Sequence, residues 1–93
     1  MESRPWLKNY PNGLPANIDV DKYPNLNAFI SEAMEKFAAK PAFYCMGKTL
    51  TYGEIDKMSR LLAGYLQSRG LKPGDRVAIM MPNLLQYPIA LFA

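Results

Sequence analysis

Leu50-Thr51-Tyr52-Gly53-Glu54-Ile55 leaves the backbone few choices. Thr51 and Glu54 stand three apart, the spacing at which a hydroxyl accepts the N–H of residue 54 while the carboxylate reaches back to the N–H of residue 51. Leu50 and Ile55 flank that exchange where an apolar staple closes over it. A helix therefore starts here without a linker. Ahead of it, residues 43–46 and 49–51 flank Gly47-Lys48, and glycine at the first central position predicts a short hairpin with a type II′ turn. Beyond it, Ile55, Met58, Leu62, Tyr65 and Leu66 recur on one face, and Lys57, Arg60, Gly64 and Gln67 on the other. Gly70 after Arg69 is a left-handed stop, with Leu71 placed to fold back on the last turn.

Upstream, residues 1–24 carry Pro5, Pro11, Pro15, Pro24 and Asn12-Gly13, which forbid a regular helix or central strand. This irregular lead-in still holds Trp6, Leu7, Tyr10, Leu14, Ile18 and Tyr23, so it is expected to lie across a larger body and bury its rings there. From Asn25, an N-cap residue, Leu26, Phe29, Ile30, Ala33, Met34 and Phe37 mark a helix, with Glu32 and Lys36 as an i,i+4 pair and Pro41 blocking continuation. Cys45 reads as a buried, inert thiol in mid-strand.

Downstream, Lys72-Pro73-Gly74-Asp75 carries the type II turn signature. Residues 76–81 then run without polar alternation and predict a buried strand with both faces covered, as in a parallel sheet between helices. Asn83 and Gln86 repeat the capping spacing in amide form. Pro88 then requires a kink or a helix start near Tyr87. The remaining residues make little more than one helical turn, which is unstable by itself in water. The apolar ending is expected to be an interior surface of something longer.

The fold class expected is α/β, or α+β for these residues in isolation: lead-in 1–24, then helix, hairpin, helix, buried strand and the start of a further helix over 25–93. The 93 residues make at most one domain. A net charge of +3 with no basic run argues against a nucleic-acid partner. One cysteine forms no internal disulfide, and the lack of histidine excludes His-based triads and zinc sites within these residues. The first residues have no secretory core segment, and the closing apolar run is too short and too interrupted to span a bilayer.

The stretch LTYGEIDKMSRLLAGYL resembles the first conserved motif of the adenylate-forming enzymes. LKPGDRVAIMMPNLLQYPIALFA, WLKNYP and KPAFYCMGKTLTY narrow the resemblance to the start of the bacterial long-chain fatty acid CoA ligases. That resemblance implies a full-length acid–thiol ligase using ATP, Mg²⁺ and CoA, cytoplasmic or peripheral at the inner face of the cell membrane. Its fatty acid substrate would be bound by parts outside these residues, and its other partner is the remainder of its own domain.

The resemblance carries no catalytic, cofactor-binding or metal residue onto this chain, so the piece alone is expected to be inactive. Leu50, Thr51, Tyr52 and Glu54 match the motif and have a derived role that is structural, locking hairpin to helix, with Asn83 as a second cap. Gly47, Lys48, Gly70, Lys72 and Gly74 lack the glycine spacing of a phosphate loop. Two rival readings are a stand-alone binding or membrane-surface module and an adenylating enzyme for another carboxylic acid.

Overall fold

A computed structural model describes residues 3–93; Met1 and Glu2 of the lead-in lie outside the described residues. Helix α1 spans Leu26–Lys36, strands β1 (Pro41–Cys45) and β2 (Lys48–Thr51) pair antiparallel, α2 spans Tyr52–Ser68 and α3 spans Gln86–Phe92. A 3-10 turn at Pro5–Asn9 precedes them. The mixed helix and strand content agrees with the α+β expectation.

The join between β2 and α2 organises the core. A helix exposes four N–H groups at its start, and here each finds an acceptor. The Thr51 N–H donates to Glu54 Oε2 at 3.1 Å, and the Glu54 N–H donates to Thr51 Oγ1 at 3.2 Å. Between them, the Tyr52 N–H donates to the Lys40 carbonyl at 3.1 Å and the Gly53 N–H to the Ala38 carbonyl at 2.9 Å. The capping box is thus complete, and the turn after α1 is stitched to the same helix end. Leu50 and Ile55 are buried over it with Met34 of α1, and Ile30, Ala42, Tyr52, Leu85, Ile89 and Phe92 pack around them. Side chains of the size of Leu50 and Ile55 each contribute about 1.5–3 kcal/mol on full burial.

The other end of α2 closes as its sequence predicts. The Leu71 N–H reaches the Leu66 carbonyl at 3.2 Å and the Gly70 N–H that of Gln67 at 3.1 Å, with Gly70 at φ 95°. These two bonds form a Schellman motif. The buried stripe of α2 differs from the predicted one. Ile55 and Ser59 are fully covered and Leu62 and Leu66 half-covered, whereas Met58 and Tyr65 are exposed. Ser59 tolerates burial because its hydroxyl donates to the Asp56 carbonyl at 2.9 Å, and no apolar count along the sequence detects this.

Other expectations are corrected. The hairpin loop is Met46-Gly47, both at positive φ (50° and 83°), with Cys45 opposite Lys48. This is a type I′ turn one residue earlier than predicted, and its twist matches that of the flanking strands. Cys45 consequently ends β1 and is half-covered rather than buried in mid-strand. Asn25 caps α1 through its side chain at 2.8 Å from the Ala28 N–H, but Glu32 and Lys36 form no ion pair. The Lys36 ammonium instead lies 5.4 Å from the Phe37 ring centroid, with Lys40 at 5.2 Å from the same ring. Within the α1 stripe Met34 is buried, and Leu26 and Phe29 stay exposed.

Residues 76–81 are not a strand: a ladder needs a partner, and the hairpin offers them no register, since β1 and β2 pair only with each other. Val77 is 56% exposed and Met80 97%, so the expected double coverage is absent among the described residues. In the lead-in, Tyr23 packs edge-on against Phe29 with centroids 4.9 Å apart, and Arg4 donates to Asn17 Oδ1 at 2.7 Å. Trp6 and Tyr10 remain exposed.

Two predictions follow from glycine and turn geometry. A Cβ on Gly53 would lie 3.1 Å from the Ala38 carbonyl oxygen, whereas one on Gly64 meets nothing within 4 Å. Gly64→Ala should raise the urea-unfolding free energy by about 0.5–1 kcal/mol, while Gly53→Ala lowers it by about 1 kcal/mol because the stitched carbonyl must move. Met46→Asn should add up to about 1 kcal/mol in the same assay by relieving a left-handed methionine.

Candidate functional site

The structure gathers four of the five singled-out residues at one point. Leu50, Thr51, Tyr52 and Glu54 surround the start of α2, and Tyr52 lies against Phe37 with ring centroids 6.4 Å apart. The fifth is corrected. Asn83 does not cap α3, whose N-cap position is Leu85 with no side-chain hydrogen bond. Its backbone is what matters, because the Cys45 thiol donates to the Asn83 carbonyl at 3.7 Å and ties the hairpin to the segment before α3. Pro88 is the third residue of α3, where no intrahelical N–H is required, so the helix starts at Gln86 without a kink.

Between hairpin and α3 lies a cavity of about 320 Å³ whose walls include Phe43, Tyr44, Cys45, Tyr87, Pro88 and Leu91. A second, of about 460 Å³, runs past Met46, Lys48, Met58 and Ile89. Both are apolar hollows with few polar groups converging on them. Glu54 is engaged in the cap and Asp56 in an ion pair with Arg60 Nε at 3.0 Å, so neither faces a partner as an acid/base pair.

Gly47, Gly70 and Gly74 occupy three separate turns, and no three of His, Cys, Asp and Glu converge as cation donors among the described residues. The arrangement is a scaffold join, holding a hairpin, two helices and an apolar hollow in fixed relation.

Residues 30–93 match the sequence profile of the family described as AMP-binding enzyme. The chain belongs to the AMP-binding enzyme family. Among its relatives, the long-chain-fatty-acid–CoA ligase of Yersinia pestis is 52% identical over 88 residues, covering 94% of this chain and 16% of that protein. The ligase of the same name from Salmonella typhimurium is 50% identical over the same shares, and that of Bacillus subtilis 37% identical over 99% of this chain and 16% of its own. The chain thus spans about one-sixth of the length of these curated AMP-binding relatives. No solved structure matches it. No helix among the described residues is long and apolar enough to cross a membrane.

Sequence reasoning missed the Gly53–Ala38 contact, although a glycine in the first turn of a strongly capped helix is a signal for close backbone approach. Of the caps it expected at Thr51 and Asn83, the structure shows the first and not the second. Thr51→Ala should cost about 1 kcal/mol of stability in chemical denaturation. Asn83→Ala should stay within about 0.5 kcal/mol of the parent, because no bond to its side chain is lost.

Proposed function

We propose that this chain is the N-terminal part of an ATP-dependent long-chain fatty acid CoA ligase. The single observation that carries the reading is the 52% identity to the Yersinia pestis ligase across 94% of this chain. In the reaction, a fatty acid carboxylate oxygen attacks the α-phosphorus of ATP, and the bond to the bridging oxygen breaks to release pyrophosphate. The CoA thiolate then attacks the acyl carbonyl of the adenylate, and the C–O bond to AMP breaks. Both steps develop charge on phosphate or carbonyl oxygens and need aimed donors to hold it.

The part of the ligase in hand contributes rigidity rather than those donors. Its capped helix, hairpin and α1 turn form a braced unit. Fatty acid, ATP, Mg²⁺ and CoA are held by segments outside these residues, in a protein that works in the cytoplasm or against the inner face of the cell membrane. The exposed Trp6, Tyr10, Leu14 and Ile18 of the lead-in support such surface contact, since aromatic and aliphatic side chains partition into the headgroup boundary.

Acid-dependent pyrophosphate release by the longer protein tests the reading. Release with ATP and palmitate, followed by CoA-dependent AMP release, is expected, and the 93-residue chain alone should give none. Activity only with an aryl, amino or short-chain acid would contradict the long-chain assignment, and no release with any acid would contradict the ligase assignment.

A further inference from the structure

We draw no further inference here: the strongest candidate, the pair of apolar hollows between the hairpin and α3 that share Cys45, Leu84 and Leu85, carries none, because the nucleophile they share is a lone thiol already bonded to the Asn83 carbonyl and nothing in the structure shows what fills them.

Discussion

Four backbone N–H groups at the start of one helix set the arrangement of nearly everything else. Satisfying them recruits the Thr51 and Glu54 side chains and the Ala38 and Lys40 carbonyls, so the hairpin, α2 and the turn after α1 meet at one point. Loss of a cap of this kind costs about 0.5–2 kcal/mol, comparable with a buried aliphatic side chain. That is why a threonine, a glycine and a glutamate occur in this order, flanked by Leu50 and Ile55. The polar exchange fixes direction, and the two apolar neighbours supply the burial.

Packing then follows from the join. With β2 running directly into α2, Leu50 and Ile55 point the same way and Met34 closes over them from α1. Leu85, Ile89 and Phe92 reach the same cluster from α3 through the Cys45–Asn83 tie. Among the described residues, the cluster of Met34, Leu50 and Ile55 is a small core, and much of the apolar surface is still open to solvent. That imbalance accords with membership of a family whose matched members are several times longer.

Legibility in the sequence tracked the range of the interaction. The capping box, the staple, the Schellman stop, the Asn25 cap and the Pro73-Gly74 turn are contacts within a few residues, and each was readable because local geometry alone satisfies it. What failed depended either on partners distant in sequence or on local choices that apolar spacing does not report. The strand expected over 76–81 has no neighbour to pair with, and Asn83 lies two residues ahead of the Leu85 N-cap position of α3. Met58 and Tyr65 lost the core face to Ser59, whose hydroxyl found a carbonyl one turn away. The hairpin turn lies one residue earlier than its glycine suggested, with Met46 taking the left-handed conformation beside Gly47. For the candidate site, the motif residues were visible, while the close approach of Gly53 to Ala38 required three-dimensional placement.

Native-state hydrogen exchange on the 93-residue chain tests most directly whether the β2–α2 join is the organising element. The account predicts that the slowest amides cluster in Leu50, Gly53 and the α2 stretch through Leu66, with residues 76–81 exchanging near the rate of unstructured chain. Strongest protection in 76–81 or in α3, with the Gly53 and Glu54 amides fast, would contradict it.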